Sequence, residues 1–572
     1  MRRALLSVIA LVCALSFVGC DGGTKDAKYW GKKLVGSAKR RVEAVKELKK
    51  LRDPASIPDL LASLKIPGEH RDDAAWLIGE ICNRSTTMRS EESEEDKEAR
   101  KEEEKGAPTP APKATTPGQV PAACDKALVK AMIEAIDFSV PAGKDAETKE
   151  KNRLNTKIAE ALGKFNDPDG VEPLVRLLRA RDNYVQLAAV RSLGAMRATN
   201  AVDALIDVAD KHDNNFMVKN SIIALGEIGD PKAVPELIKM MFFERGVSFY
   251  REASFALFEL GKPSVQPLID TYDGKNPVIS TMKLDAAVVP AKIAMVLGDV
   301  ADPAGIPVIH KVMAFDEAQS SMGMGPLAKA NAVRALGLLG DKSAVPDLLK
   351  GILDIDVSTR EFPTEALGLI GDRGVLPELW KACNHEPFFA DCKKGGYEDQ
   401  ACQNSEPEVR QLSTEWFTRL ADGSWLDKYK KMLDETKDPK VKEMLTPDMV
   451  RLEVAKECGS NKDCWLGKLK QMPPAGAPKE EVARVAKIRD KAGYELSYLK
   501  DPSVAPAVVA ALQDPDLEAR YAKVVALYRI MPKDPKLAEQ VDRIIEDERG
   551  KAQFVKVNEE LKRLAIKMAR GY

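Results

Sequence analysis

Nine cysteines and four histidines are the side chains of this 572-residue chain that are best suited to bind a metal or to act as nucleophiles. The histidines are His70, His212, His310 and His385. None of them has a companion at the spacing of a zinc-protease helix, and the chain contains neither G-x-S-x-G nor G-x-x-x-x-G-K-[ST]. The sequence therefore predicts no catalytic residues, no cofactor and no enzyme activity.

The beginning of the chain has the pattern of an export signal. Arg2 and Arg3 precede an apolar run over residues 4–18, which is shorter than the roughly 20 residues of a membrane-spanning helix. The run leads into Phe-Val-Gly-Cys, which resembles the lipobox of bacterial lipoproteins, although Phe17 stands where leucine is usual. That resemblance implies cleavage before Cys20, lipidation of Cys20 and a body anchored in the cell envelope, facing the periplasm from the inner or outer membrane. An ordinary secretory signal with a chance cysteine is the alternative.

Seven cysteines follow Cys20. Because export delivers a chain to an oxidising compartment, disulfide bonds are their first interpretation. Cys383 takes a position that related segments fill with apolar residues, which indicates a core residue. The other six form three candidate pairs: Cys458 with Cys464, Cys392 with Cys402, and Cys82 with Cys124. A metal site is the alternative, with its possible ligands being Cys383, His385, Cys392 and Cys402, although their spacing matches no compact zinc pattern.

One phrase recurs along the chain, and its clearest copy is ALGEIGDPKAVPELIKMM, residues 224–241. Nine copies begin at Glu47, Ala161, Ser192, Ala224, Ala256, Val296, Ala335, Ala366 and Glu495. From the second copy to the eighth, the spacings are 31, 32, 32, 40, 39 and 31 residues. Apolar residues recur at helical spacing on both sides of a central Gly-Asp-Pro, so each copy predicts two amphipathic helices joined by a turn.

The residues of the turn have separate roles in this prediction. Gly229 suits the left-handed conformation that ends a helix, and Asp230 can cap the N–H groups that follow it. Pro231 prevents the first helix from continuing, while Pro235 is tolerated only in the first turn of the second helix. A short helix pair cannot bury its own apolar stripe, so the pairs must stack side by side.

This phrase resembles the HEAT-like repeats of the type found in phycobilisome lyases. The resemblance is strong over residues 160–383 and weaker over 38–82 and 495–530. It implies an all-α fold, an α-solenoid of stacked antiparallel helix pairs, and usually a protein-binding scaffold. It does not imply lyase activity, because the repeat determines only the architecture.

The repeats and the segments between them predict seven regions. These are a lipoprotein signal peptide (1–19), an anchor and linker (20–37), an N-terminal helical repeat (38–84), a disordered loop (85–123), a HEAT-like array (124–383), degenerate repeats with cysteine-containing insertions (384–494), and a C-terminal repeat with capping helices (495–572). The disorder of 85–123 is predicted because residues 91–105 hold nine acidic and four basic side chains, and five prolines follow by residue 121.

Composition and aromatic residues bear on the partner. The formal net charge of −1 lacks the basic footprint of a nucleic-acid-binding protein. Four aromatic residues surround one inter-repeat loop and are candidates for a protein-binding site, with packing between repeats as the alternative: Phe242, Phe243, Phe249 and Tyr250. The sequence therefore predicts a membrane-anchored lipoprotein whose solenoid binds or scaffolds other proteins. The alternatives are an enzyme or enzyme accessory and a metal-handling envelope protein.

Overall fold

The computed structural model describes residues 26–84, 121–352, 357–384, 406–548 and 551–570. These residues form α-helices joined by single 3₁₀ turns and short loops, and within those ranges a lone bridge between Glu244 and Ser248 is the only β pairing. The predicted all-α fold of paired helices is confirmed. None of the helices in the described ranges has both the length and the apolar character that crossing a bilayer requires.

The chain folds as two compact units. The first unit contains residues up to 236 together with 244–256. Its helices, in chain order, are α1 (Ala27–Gly31), α2 (Ala38–Leu51), α3 (Ile57–Ser63), α4 (His70–Ile81), α5 (Lys126–Glu134), α6 (Ala146–Phe165), α7 (Val171–Leu177), α8 (Asn183–Ala195), α9 (Val202–Lys211) and α10 (Asn215–Ile228). Two further helices, α11 (Val234–Phe242) and α12 (Tyr250–Leu260), have residues in both units.

The second unit contains residues 237–243 and those from 257 onward. Its repeat helices are α13 (Lys262–Tyr272), α14 (Pro277–Ser280), α15 (Val288–Val300), α16 (Ile306–Met313), α17 (Gly325–Leu339), α18 (Val345–Gly351), α19 (Val357–Ile370) and α20 (Leu376–Asn384). Its later helices are α21 (Glu406–Leu420), α22 (Leu426–Glu435), α23 (Pro439–Leu445), α24 (Met449–Cys458), α25 (Lys462–Leu469), α26 (Lys479–Leu499), α27 (Ala505–Ala510), α28 (Leu517–Ile530), α29 (Pro535–Asp547) and α30 (Val555–Arg570).

The turn inside each repeat follows the expected chemistry with one refinement. Gly229 ends α10 in the left-handed conformation, with φ of 74°. The Asp230 carboxylate accepts a hydrogen bond from the N–H of Lys232 at 2.9 Å, so it caps a 3₁₀ turn that precedes α11 rather than α11 itself. Pro235 is the second residue of α11, where its missing N–H costs no helical hydrogen bond.

The glycine of the Ala-Leu-Gly phrase lies where helices of neighbouring repeats touch. A Cβ atom on Gly194 of α8 would lie 2.9 Å from the Cα of Ala224 on α10, and one on Gly337 of α17 would lie 2.9 Å from the Cα of Ala366 on α19. Only glycine facing alanine allows backbones to approach so closely. The phrase is therefore repeated because it forms the contact between successive repeats.

The structure corrects two details of the predicted regions. The stretch 20–37 was expected to be a linker, but α1 and the following 3₁₀ turn lie within it, with the Leu34 side chain fully buried. The helix α4 is a further repeat helix that the nine copies of the phrase do not include. It makes the same contact as the others, since a Cβ on its Gly79 would lie 2.9 Å from the Cβ of Ala161. The phrase after α4 is interrupted by the segment predicted to be a loop, which hid the pattern.

Candidate partner-binding face

One histidine lies in a cluster that looks at first like a catalytic triad. The Nε2 atom of His310 is 2.7 Å from Oδ2 of Asp341 and 3.1 Å from Oγ of Ser343. A serine nucleophile requires the carboxylate and the hydroxyl on opposite ring nitrogens, whereas here both contact the same nitrogen. Burial acts to raise the pKa of Asp341, but its hydrogen bonds with His310 and Ser343 hold the pKa below its usual range. The cluster ties one repeat to the turn of the next.

Four of the candidate cysteines form two disulfide bonds, and a fifth is buried. Disulfide bonds join Cys82 to Cys124 and Cys458 to Cys464. The first bond brings together the two ends of the segment predicted to be a loop, and the second spans the turn between α24 and α25. Cys383 is fully buried. The remaining candidates, Cys20, His385, Cys392 and Cys402, lie outside the described residues. Within the described ranges, no group of three or more His, Cys, Asp or Glu side chains is placed to hold a metal ion.

The aromatic residues around the 242–250 loop do not form the exposed site that was expected. Phe249 is fully buried and Phe242 is 4% exposed, while Phe243 and Tyr250 are half-buried. The ammonium of Lys292 lies 5.3 Å from the centroid of the Phe242 ring and donates to the carbonyl of Met241. For Phe242 and Phe249 the structure therefore favours the alternative, packing between repeats.

A groove of about 550 Å³ runs along one face of the first unit, across α4, α6, α8 and α10. We call this surface the open face. Its principal residues are Trp76, Lys157, Glu160, Lys164, Tyr184, Leu187, Ala188, Arg191, Ala195, Asn220, Ile223, Ala224 and Glu227. Each of these four helices belongs to a different repeat, and each contributes residues to the groove at corresponding positions.

One end of the open face is charged. The ammonium of Lys164 is paired with the carboxylate of Glu80, and both side chains are buried. The indole of Trp76 lies beneath two ammonium groups, with Lys49 at 4.9 Å and Lys164 at 5.9 Å from the ring centroid. Lys157 pairs with Glu160 at 2.9 Å. This end therefore combines an aromatic surface with several cations, an arrangement that stabilises the cations through the ring.

The middle of the open face is apolar. The floor consists of Ala188, Ala195 and Ala224, whose small side chains leave the groove its depth. Above the floor stand the Tyr184 ring, which is 75% exposed, and Ile223, which is 41% exposed. An exposed aromatic side chain and an exposed aliphatic side chain therefore stand beside a floor of small residues.

The second unit uses the corresponding face differently. In each repeat, one residue next to the contact between helices lies on this face; it follows the glycine of the phrase, except that Glu259 follows Phe258. These residues are Glu80, Lys164, Ala195 and Glu227 in the first unit, and Glu259, Asp299, Leu338 and Leu369 in the second. We call these the ladder positions. In the second unit all four ladder positions meet the C-terminal helices α28 and α30, and we call that surface the covered face.

Helix α30 contacts the covered face through charged side chains. The guanidinium of Arg563 lies 3.4 Å from the carboxylate of Asp299, and Arg334 pairs with Glu560 at 3.0 Å. Arg570 donates to the backbone carbonyl of Glu259. Three successive repeats are therefore joined to one helix.

Helix α28 covers the last two ladder positions. Leu369 is fully buried in a cluster with Ala522 and Val525 of α28, and Leu338 packs against the same cluster. Arg529 donates a hydrogen bond to the carbonyl of Gly337 at 2.7 Å and another to the carbonyl of Leu369. These contacts bring an additional donor to carbonyls in the last turns of α17 and α19, where the helical hydrogen-bond pattern ends.

Buried ion pairs join α26, which packs against α28, to α21 and α24. The fully buried carboxylate of Asp490, on α26, accepts from Arg419 at 3.1 Å and from Arg451 at 2.7 Å. Burial acts to raise the pKa of Asp490, but the two guanidinium groups lower it below its usual range. Each charge in this cluster depends on the others, because an unpaired charge in the interior is costly.

Sequence reasoning found neither face. The ladder position varies from glutamate to leucine, so no single residue type marks it. A usable signal exists in the register, because seven of the eight ladder residues follow the glycine of the phrase, and Glu259 follows Phe258 at the same position. Tyr184, Phe216 and Leu327 likewise share one register position, eight residues before their repeat's Ser192, Ala224 or Ala335. All three are at least half exposed.

The helices and turns described above agree with comparisons to known families. Residues 146–216 and 176–242 match HEAT repeats, and residues 328–354 match the PBS lyase HEAT-like repeat. The array is therefore an α-solenoid that contains HEAT repeats, including one of the phycobilisome-lyase type.

Individual proteins are similar over limited stretches or at low identity. Phycocyanobilin lyase subunit alpha of Synechococcus elongatus is 38% identical over 77 residues, which are 14% of this chain and 27% of that protein. A crystal structure of importin beta aligns with a TM-score of 0.41 at 12% identity and covers 97% of this chain and 79% of that one. Human deoxyhypusine hydroxylase aligns with a TM-score of 0.19 at 15% identity, covering 57% and 98%. The fold assignment rests on the helices and the family matches.

Proposed function

We propose that this protein is a binding or scaffold protein of the bacterial cell envelope, anchored through a lipid on Cys20, and that its open face binds a partner protein. The observation that carries the proposal is the exposure of Tyr184 and Ile223 above an alanine floor. The corresponding surface of the second unit is packed against protein, so this repeat face is suited to hold a polypeptide. HEAT solenoids in general bind other proteins through continuous surfaces.

The envelope location rests on the sequence and gains support from the cysteines. Phe-Val-Gly-Cys at residues 17–20 supplies the acylation site, and several acyl chains on one cysteine anchor a protein firmly. Disulfide bonds at Cys82–Cys124 and Cys458–Cys464 suit an oxidising compartment. The role we propose is not enzymatic, because the similarity to a lyase subunit extends over 77 residues and concerns the repeat.

Purification of the tethered protein from its own membranes tests the binding proposal. Partners are identified by mass spectrometry for the wild type and for two variants, Ile223→Glu on the open face and Leu327→Glu on α17. Leu327 is the matched control because it is a similarly exposed apolar residue, 50% against 41% for Ile223, outside the open face. We expect Ile223→Glu to lose a partner that Leu327→Glu retains. A partner profile shared by all three proteins would contradict the proposal.

The anchor is tested separately. In Cys20→Ser the sulfur that would be acylated is missing, so we expect the protein to remain unprocessed or to leave the detergent-rich phase in a Triton X-114 partition. Metabolic labelling with an alkyne fatty acid should mark the wild type and not the variant. Unchanged partition and equal labelling of the two proteins would show that Cys20 is not the anchor.

A further inference from the structure

The covered face shows how this repeat surface holds an α-helix. Glu560, Arg563, Lys567 and Arg570 follow one another at i, i+3, i+7 and i+10, so they lie on one face of α30. Glu560 pairs with Arg334 of α17, and Arg563 pairs with Asp299 of α15. Lys567 lies 5.7 Å from the centroid of the Phe258 ring on α12, and Arg570 donates to Glu259 on the same helix. One helix of 16 residues therefore reaches three successive repeats.

The neighbouring face of α30 is apolar and packs against other helices of the second unit. Leu561, Leu564, Ala565 and Met568 belong to a buried cluster with residues of α26, α28 and α29. The helix is thus amphipathic, and it turns its charged side towards the repeats. The covered face requires that orientation because Glu259, Asp299 and Arg334 supply charge and hydrogen-bonding groups.

The open face has the same register with different side chains. Its ladder positions include Lys164, Ala195 and Glu227, so charges stand at the ends and a methyl group stands in the middle. Ile223 takes the position before the phrase that Arg334 takes in α17. A helix lying here would place apolar side chains over the middle and charged side chains at its ends.

We propose that the open face binds an amphipathic α-helix of a partner protein, crossing α6, α8 and α10 as α30 crosses α12, α15 and α17. The helix inserts large apolar side chains over the floor of Ala188, Ala195 and Ala224. About 16 residues, or roughly 24 Å of helix, are needed for three repeats. This inference rests on the proposed function and specifies the partner element.

The test uses two phage-displayed peptide libraries and the lipidated full-length protein in detergent. The first library encodes 16-residue peptides with apolar residues at i, i+3, i+4, i+7 and i+11. The second differs from the first by having proline at every fourth position, which prevents helix formation. We expect binders from the first library alone. Ile223→Glu should weaken the selected peptides at least tenfold, while Leu327→Glu should leave their affinity unchanged.

The other outcomes separate the two proposals. Binders from the proline library alone, still lost in Ile223→Glu, would overturn the helix and leave the open face as a binding surface. Binders that ignore Ile223→Glu, or no binders from either library, would overturn the helix inference, and the membrane purification would then decide the proposed function independently. If analytical ultracentrifugation shows a dimer that Ile223→Glu dissociates, a second copy of this chain occupies the face. That result would overturn the inference of a partner's helix.

Folding of the variants is verified by circular dichroism and thermal melting. If Ile223→Glu melts earlier than the wild type, Tyr184→Ala replaces it, because that side chain is 75% exposed and contributes to the open face without supporting the core. The same expected loss of peptide affinity applies to Tyr184→Ala.

Discussion

The open face and the covered face are built from the same repeat and differ in what lies against them. In the first unit the ladder residue Ala195 and its neighbour Ile223 line a groove of about 550 Å³. In the second unit the ladder residue Leu369 is fully buried under α28. The same repeat face is therefore packed against a helix in the second unit and exposed in the first, with different side chains at a few register positions.

The two units also differ in how far their ion pairs are buried. Ion pairs of the first unit are mostly at the surface, as with Lys232 and Asp203, whose side chains are 60% and 73% exposed. Behind the covered face, Asp490 and Arg451 are fully buried. Surface pairs contribute little to stability, whereas breaking one partner of a buried pair is strongly destabilising. The predictions below test that contrast.

The largest expected effect comes from Asp490→Ala. Loss of this carboxylate leaves Arg419 and Arg451 buried without their shared partner, and we expect the free energy of unfolding to fall by about 3–5 kcal/mol in urea denaturation. The control is Asp203→Ala, which breaks the exposed pair with Lys232 and should cost no more than about 1 kcal/mol. Equal losses in the two variants would remove the contrast between the units.

The two disulfide bonds should contribute different amounts to the free energy of unfolding. The Cys82–Cys124 bond joins residues 42 apart, and the Cys458–Cys464 bond joins residues 6 apart. Because closing a longer loop restricts the unfolded chain more, replacing both cysteines by serine should cost about 4 kcal/mol for the first pair and about 2 kcal/mol for the second. Non-reducing denaturation measures both. A larger loss for the second pair would mean that the loop-closure argument does not apply here.

Lys567, on the covered face, should make the free energy of unfolding depend on pH in the alkaline range. Burial lowers the pKa of this ammonium to about 8 from 10.5, although Asp299 and Glu560 act to raise it. Between these values the unfolded chain binds more protons than the folded one, so stability rises with pH. At 1.36 kcal/mol per pKa unit, the rise is at most about 3 kcal/mol.

Lys567→Met isolates this effect. The variant should lack the rise between pH 8 and 10.5 and should be more stable than the wild type near pH 7, where the wild type buries a charge beside Phe258 and Tyr528. Lys556→Met is the control, because Lys556 lies exposed on the same helix. Urea midpoints across the pH range measure the difference, and an unchanged slope in Lys567→Met would refute the assignment.

The smallest effects on stability should come from the open face. Tyr184→Ala removes a side chain that is 75% exposed, and Leu327→Ala removes one that is 50% exposed at the same register position. Each should change the free energy of unfolding by no more than about 0.5 kcal/mol, as for other surface substitutions. A loss above about 2 kcal/mol for Tyr184→Ala would show that this ring supports the core, and it would remove the reason for assigning the surface to a partner.

Local chemistry explains how far prediction from the sequence could reach. Gly229, Asp230 and Pro231 specify a helix end, a cap and a stop within three adjacent residues, so the turn could be read without knowing the fold. The aromatic residues Phe242 and Phe249 were harder, because a phenylalanine near a loop has the same local sequence whether it packs inward or faces a partner. The repeat at α4 was missed because its pattern is interrupted after Cys82.

Local sequence is enough to specify the paired helices, their turns and the need for the pairs to stack, since these depend on residues within about forty positions of one another. Which repeat faces are covered depends on contacts between distant parts of the chain. Arg334 and Glu560 are 226 positions apart, and Arg570 and Glu259 are 311 apart. No local periodicity connects residues at such separations. Their contact depends on where the folded chain brings its last helices, and those helices cover the repeat face of the second unit.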